Sequence, residues 1–232
     1  MNLFEDKLIN KKECFQRGTL EARMQINGIK NLGRMELFLW DLEFFLQIQN
    51  ILKERVVLKG GAAAQFYLPI EYQRSSVDID IIFYGSKEEI DDTLSKIEEL
   101  FGADDVYFKF KQHIPESPKT NLPLYTYYVT VPSICTENEL RGMRFNRQTI
   151  KIEFFVQSYA VELARMLGSN IFAVESDMEY QILPINMLLA DKLTTLGPKT
   201  VGIQDVRTDE QLKQIFDIHS LISFNLDHID LG

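Results

Sequence analysis

Two aspartates, Asp78 and Asp80, stand one residue apart in the run VDIDIIFY, residues 77–84, whose other members are apolar or aromatic. Alternation puts Val77, Ile79, Ile81 and Phe83 on one face of a strand and both aspartates on the other. Side chains at i and i+2 of a strand lie about 7 Å apart or less. Carboxylates that close repel unless they face water, share a proton or hold a cation between them. Mg²⁺ suits such a pair, because it takes hard oxygen ligands and uses one or two carboxylates together with substrate phosphates. Two such ions about 3.5–4 Å apart activate an attacking oxygen and stabilise a leaving one. A two-metal site gains from a third carboxylate on a neighbouring strand. Glu153, in IKIEFF, is the only acid inside the strand expected over residues 149–156. Upstream, Gly60-Gly61 follows the short β-branched stretch Arg55–Leu58. Glycines after a strand let backbone N–H groups approach a phosphate, and a following helix start favours an anion. LKGGAAAQFYLPIEYQRSSVDIDIIF thus reads as a triphosphate cradle followed by a metal-binding pair. Each piece alone has a plainer reading: a solvated D-x-D, a Gly-Gly turn, a Glu153 paired outward with Lys151.

The elements that must position these groups follow from periodicity and caps. MELFLWDLEFFLQIQNIL reads as an amphipathic helix, with Phe38, Leu42, Phe45 and Leu52 on one stripe and Glu36, Glu43, Gln47 and Asn50 on another. Ala62–Leu68 predicts a short helix halted before Pro69. Ser86-Lys-Glu-Glu89 is a capping box opening a helix that buries Ile90, Leu94 and Ile97. Residues 101–123 read as loop with a strand at Val106–Phe110, and Tyr125–Val131 and Thr149–Val156 read as strands. Between the last two lies ENELRGMRFNRQ, a connector carrying Arg141, Arg144 and Arg147. The last part reads as helical. One helix has the stripe Ile185, Leu188, Leu189 and Leu193 and stops at Gly197-Pro198. Another opens on a capping box, Thr208–Gln211, with Leu212, Ile215, Phe216, His219 and Ile222 inward. The order predicts an α+β or α/β domain followed by a helical tail, with α+β taken as the fold class.

The chain has 232 residues, 45% hydrophobic and 25% charged, which is ordinary globular composition with enough length for a sizeable core. Cys14 and Cys135 give neither a disulfide framework nor metal-ligand spacing, so a reducing cytoplasm is the simplest localisation. No signal-peptide core and no apolar run of the roughly 20 residues a membrane span needs are present. A net charge of −9 disfavours a broad nucleic-acid-coating surface but leaves room for a local basic groove.

Lys59-Gly60-Gly61 with Tyr67, then Arg74-Ser75-Ser76-Val77-Asp78-Ile79-Asp80, resemble the nucleotidyltransferase fold of DNA polymerase β type. More closely, they resemble the AbiEii/AbiGii-type nucleotidyltransferase toxins, which read L-K-G-G-T-A-L-x-x-x-Y and R-x-S-x-D-[IL]-D. Leu189-Ala190-Asp191-Lys192-Leu193 is similar to that family's L-x-x-E-K-L, with Asp for Glu. Gln214-Ile215-Phe216-Asp217-Ile218 is similar to its last motif, with Gln for the first Asp. Ala62 stands where many relatives have Ser or Thr. The resemblance spans about residues 50–222.

It implies a mixed β-sheet flanked by helices with a C-terminal helical bundle. The division would be a helical lead-in over residues 1–55, a nucleotidyltransferase core over 56–160 and a helical region over 161–232. It implies transfer of a nucleotidyl group from an NTP, such as ATP or GTP, to an acceptor hydroxyl on an RNA or tRNA end or a protein. The reaction would depend on Mg²⁺ or Mn²⁺. Such a protein would be the toxin of a toxin–antitoxin or phage-defence pair, with an antitoxin protein as partner. By the match, Asp78 and Asp80 would hold metal, and Glu153, read from its own strand, would be their third carboxylate. Lys59, Gly60, Gly61, Ala62 and Ser76 would form the nucleotide site. Lys192 would contact triphosphate oxygens and Asp217 would share the cleft.

Plainer roles stand beside these. Lys192 lies on the polar side of its expected helix and reads equally as solvated. Asp217 reads equally as a helix-to-helix ion pair with Lys192 or Lys213, and Arg74 either as the partner of an aspartate or as a group reaching phosphate. Arg141, Arg144, Arg147 and Lys151 form either a solvated loop or a guide for a polynucleotide acceptor. The histidines form no triad, and His219 reads as a core residue. Two other function classes stay open: a catalytically weak or inactive nucleotide-binding protein, which Ala62 and Gln214 motivate, and a small-molecule (antibiotic) nucleotidyltransferase.

Overall fold

The structure, a computed structural model, describes residues 4–115, 123–174, 176–197 and 208–230, with side chains in the last segment from Glu210. Helix α1 (Arg17–Asn27) leads into α2 (Leu32–Leu52), after which the chain alternates strands and helices. Strand β1 (Val56–Lys59) turns directly into α3 (Gly60–Gln65). Then come β2 (Asp78–Tyr84), α4 (Lys87–Phe101), β3 (Lys111–His113), β4 (Leu124–Thr130), a single turn α5 (Glu137–Leu140) and β5 (Thr149–Gln157). Strands β6 (Ala164–Leu167) and β7 (Glu179–Ile182) precede α6 (Ile185–Thr195) and α7 (Thr208–Asn225).

Among the described residues seven strands form one mixed sheet in the order β3-β4-β5-β2-β1-β7-β6. Strand β2 runs antiparallel to β1 and parallel to β5. Its alternation is borne out: Ile79, Ile81 and Phe83 are fully buried. In register with them lie Ile152 and Phe154 of β5 and Val56 and Leu58 of β1, so one sheet face is a continuous apolar surface. Helix α2 lies against β1, β2 and β5. The capping box forms as read, with Ser86 Oγ accepting from Glu89 N and Glu89 returning an acceptor to Ser86 N, and Ile90, Leu94 and Ile97 are buried.

Several expectations are corrected. Helix α2 is not amphipathic in place: Glu36, Glu43 and Gln47 of its expected outer stripe are buried. The N-terminal segment covers that side, so Glu43 accepts from the N–H groups of Ile9 (2.7 Å) and Asn10 (2.9 Å). Glu36 likewise accepts from Ser133, Ile134 and Gln148. Buried polar groups persist only when bonded in this way. The strand expected at Val106–Phe110 is absent, and pairing with β4 begins at Lys111 instead. The span from residue 161 is not wholly helical: β6 and β7 join the sheet beside β1, and the helices begin at Ile185.

The faces of α6 and α7 also differ from expectation. Leu193 is exposed and Lys192 takes the buried position. On α7, Leu212, Ile215, Phe216, His219 and Ile222 lie on the exposed side, while Asp217, Ser220, Leu221 and Asn225 face inward. An ion pair described below sets that rotation. The capping box expected at Thr208–Gln211 and the stop at Pro198 lie outside the described side chains. Among the described residues, no helix is long and apolar enough to cross a membrane.

Candidate active site

Three strands bring the expected residues to one face. Asp80 is in register with Lys59 of β1 and with Glu153 of β5, and Asp78 with Lys151. Opposed residues of neighbouring strands point to the same side of a sheet. Thr126 and Tyr128 of β4 extend the two rows, opposite Glu153 and Lys151 respectively. The polar face is thus the reverse of the apolar one, and both follow from the alternation of β2.

The glycine pair is required by this face. Gly60 has φ +69°, and a Cβ built on it would stand 2.2 Å from Asp80 Oδ2. Any side chain there would meet the carboxylate as well as a backbone conformation L-residues avoid. A Cβ on Gly61 would stand 3.0 Å from both Arg74 Nη2 and Ser76 Oγ. Gly60-Gly61 therefore passes bare backbone over Asp80, Arg74 and Ser76. Ala62, in contrast, is 1% exposed and packs in the core, so it can offer a ligand only its backbone.

The ionisable groups divide into two clusters. In the first, Asp78 Oδ1 accepts from Arg144 Nη2 at 3.1 Å, and Glu153 accepts from Lys151 Nζ (2.5 Å) and Thr126 Oγ1 (3.1 Å). Burial, then the charges of Glu153 and Asp78, push the Asp80 carboxyl up to about 6, against an opposing pull from Lys59. In the second cluster, Asp217 is fully buried. It accepts from Arg74 Nε (2.9 Å), Arg74 Nη2 (2.6 Å) and Lys192 Nζ (2.8 Å). Burial alone would raise its pKa, but the bonds from Arg74 and the charge of Lys192 hold it below the usual carboxylate range. Lys192 is itself only 2% exposed and donates also to Gln214 Oε1 at 3.1 Å. The plainer readings of Arg74 and Asp217 as ion-pair partners thus describe the geometry found, whereas Lys192 is not solvated. Gln214, where the family motif has an acid, supplies an acceptor to the same ammonium.

Several members of the site are given no role by the sequence reading, Asp191 among them although it stands in the third motif. Asp191 accepts from Lys59 Nζ at 2.8 Å and ties the end of β1 to α6. Gln65 donates to Gly61 O (2.8 Å) and accepts from Arg74 N (2.8 Å), fastening the glycine turn to the arginine. Asp41 of α2 is 1% exposed with neither oxygen bonded among the described residues. Burial, then the charge of Asp78, push its carboxyl well above the usual range. An acid inside the apolar run LFLWDLEFF was the available signal for it.

For a divalent cation the donor set fits in part. Asp78 and Asp80 share a face, the backbone above Asp80 is bare, and Asp80 is crowded by like charge that a cation would relieve. Among the described residues, however, no three acidic, histidine or cysteine side chains converge to hold an ion. The set Asp78, Asp80 and Glu153 is not assembled, because Glu153 bends to Lys151 and Asp78 to Arg144. The aspartate pair that remains matches the one or two carboxylates Mg²⁺ commonly takes beside substrate phosphates. Arg144 competes for that position. Arg144→Ala is expected to tighten Mn²⁺ binding a few-fold, at most about tenfold, by isothermal titration, since a part-exposed ion pair is worth little more. Unchanged affinity would show that Arg144 does not guard Asp78.

A mixed sheet carrying two aspartates at the start of one strand, behind a strand–Gly-Gly–helix turn, defines a nucleotidyltransferase-like fold. The chain belongs to the nucleotidyl transferase AbiEii toxin family of Type IV toxin–antitoxin systems, whose model matches residues 45–231. No curated protein sequence matches it. Among solved structures it is similar to that of JHP933 from Helicobacter pylori, at 17% identity and a TM-score of 0.51, covering 83% of this chain and 69% of that one. A Megavirus polyadenylate synthase aligns at 10% identity and a TM-score of 0.46, over 84% of this chain and 34% of that one.

Proposed function

We propose that this nucleotidyltransferase moves a nucleoside monophosphate from an NTP to a hydroxyl of an RNA or tRNA end, with Mg²⁺ or Mn²⁺ held by Asp78 and Asp80. The observation that carries the reading is the bare Gly60 backbone against Asp80, where any side chain would displace the carboxylate proposed to hold the ion. Gly60 and Gly61 would turn amides to the phosphates, and Ser76 lies against Gly61 to add a hydroxyl. Lys59, opposite Asp80 and partly exposed, is the cation best placed for the triphosphate. Lys192 is committed to Asp217, and the two are better read as holding α6 and α7 against the Arg74 loop than as touching substrate. The bound ion would supply charge neutralisation at the phosphates and the departing pyrophosphate. Glu153 would join Asp78 and Asp80 only on release from Lys151. The cytoplasm is the setting and an antitoxin protein the counterpart of the toxin activity.

The test is transfer of α-labelled phosphate from each NTP, with Mg²⁺ or Mn²⁺, to a mixture of tRNA and soluble protein. Ribonuclease-sensitive label is expected. No incorporation with any NTP and either metal would overturn the reading in favour of a nucleotide-binding protein on this fold. That second reading has one observation behind it, the ion pairs that occupy Asp78 and Glu153. Charge reversal at Arg141 and Arg147 separates acceptors: transfer to RNA should fall, whereas transfer to a small antibiotic would persist.

A further inference from the structure

The connector between β4 and β5 carries a feature the transfer reading does not use. Phe145 is 70% exposed at its tip. Its φ is +58° and that of Asn146 is +50°, conformations in which a Cβ meets its own backbone. The tip is fastened in this shape. Asn146 Oδ1 accepts from Gly142 N at 3.1 Å, and Arg144, anchored on Asp78, lies over the Tyr128 ring at 5.1 Å. Phe145 meets the same Tyr128 ring edge-on, at 6.2 Å and 82°. Tyr128 is opposite Lys151, and Lys151 is opposite Asp78, so the aromatic pair stands two strands along the row that starts at Asp78. That separation is about 10 Å. Although the whole chain has a net charge of −9, residues 141–147 carry three arginines and no acid. Isolated exposed apolar side chains are common. An exposed ring, backed by a second ring and a guanidinium and flanked by further arginines, is the combination that stacks unpaired bases.

We infer that Phe145, supported by Tyr128 and Arg144, is a stacking platform for a nucleobase beside the aspartate pair. The inference rests on the proposed transfer reaction and names where its nucleic-acid component lies. The base belongs either to the incoming NTP or to the unpaired end of an RNA acceptor, and the two sources give different results.

Phe145→Trp places an indole at the tip, and the native Trp40, 1% exposed, contributes emission that an external base does not reach. Fluorescence is followed while adding a short single-stranded RNA, an abasic strand of equal length, or each NTP with Mg²⁺. Quenching by the base-bearing strand and not the abasic one supports the platform with the acceptor as source. Quenching by an NTP supports it with the donor as source. No quenching by any of them, or equal quenching by both strands, overturns it. In the transfer assay, Phe145→Ala should raise KM for the same component about tenfold, with Phe145→Tyr restoring it. Transfer with an unchanged KM in Phe145→Ala overturns the platform and leaves the transferase reading standing. A wild-type chain that neither transfers nor binds an NTP overturns both.

Discussion

Asp78→Asn and Asp80→Asn are each expected to lower metal-dependent nucleotidyl transfer by about a thousandfold, the scale on which removing a charge-stabilising group acts. Both replacements keep size and remove charge, so the fold should survive. Asp80→Asn should do more than survive. Because burial and the neighbouring carboxylates raise the folded-state pKa of Asp80 to about 6, its ionised form destabilises the fold. Between the ordinary value of 3.8 and about 6 the folded chain holds a proton the unfolded chain has lost. Stability contributed by this group is therefore present below about pH 4 and is lost as pH rises through about 6. At pH 8 without metal, Asp80→Asn should be stabilised by about 1–2 kcal/mol, the shift discounted for partial exposure. Thermal melting in chelator against melting in Mg²⁺ checks this. Wild type should gain with the cation and the variant should not. Equal Mg²⁺ shifts in the two proteins, or full transfer by both variants, would sink the assignment of the aspartate pair to metal.

Asp217→Ala should give the largest loss of stability. Asp217 is fully buried and is the counter-charge for Lys192, itself 2% exposed, and for Arg74. Removing one partner of such a network leaves an uncompensated buried cation, at about 3–5 kcal/mol. For a chain of this length that lowers Tm by roughly 10–15 °C. The double variant Lys192→Met with Asp217→Leu replaces charge by apolar volume and should be less destabilised than Asp217→Ala. The folded-state pKa of Asp217 is depressed, so the wild-type contribution is present above the ordinary 3.8 and fades as pH falls below it. An acid titration of Tm should show that loss in wild type and not in the double variant. An unchanged Tm in Asp217→Ala would overturn the structural role and return Lys192 to the triphosphate.

The two clusters differ in how far the sequence exposes them. The β2 strand, its alternation, the Gly-Gly turn and the Ser86–Glu89 capping box are local. Each is a relation between residues a few positions apart, governed by strand geometry or by the unsatisfied N–H groups of a helix start. All four read correctly. The outer face of α2 and the inner face of α7 did not. Glu36, Glu43 and Gln47 are polar, yet segments far away in the chain cover them and satisfy their oxygens and amide. On α7 the apolar residues Leu212, Ile215, Phe216 and Ile222 outnumber the one apolar member of the inward set, Leu221, but the pairing of Asp217 with two cations turned them outward.

The metal question shows the same division. The sequence by itself determined that two carboxylates share a strand face behind bare glycines, because the period of a strand and the steric freedom of glycine are properties of the local chain. It determined the family by the same residues. Only the tertiary structure decided that Gly60 is glycine because Asp80 lies 2.2 Å from where its Cβ would be. It also decided that Arg144 holds Asp78 and that Lys192 is a buried ion-pair partner. Those choices depend on which charge from a distant segment arrives first within hydrogen-bond distance. Burial then multiplies the consequence of each, since a charge withdrawn from water must be answered by the groups the fold places beside it.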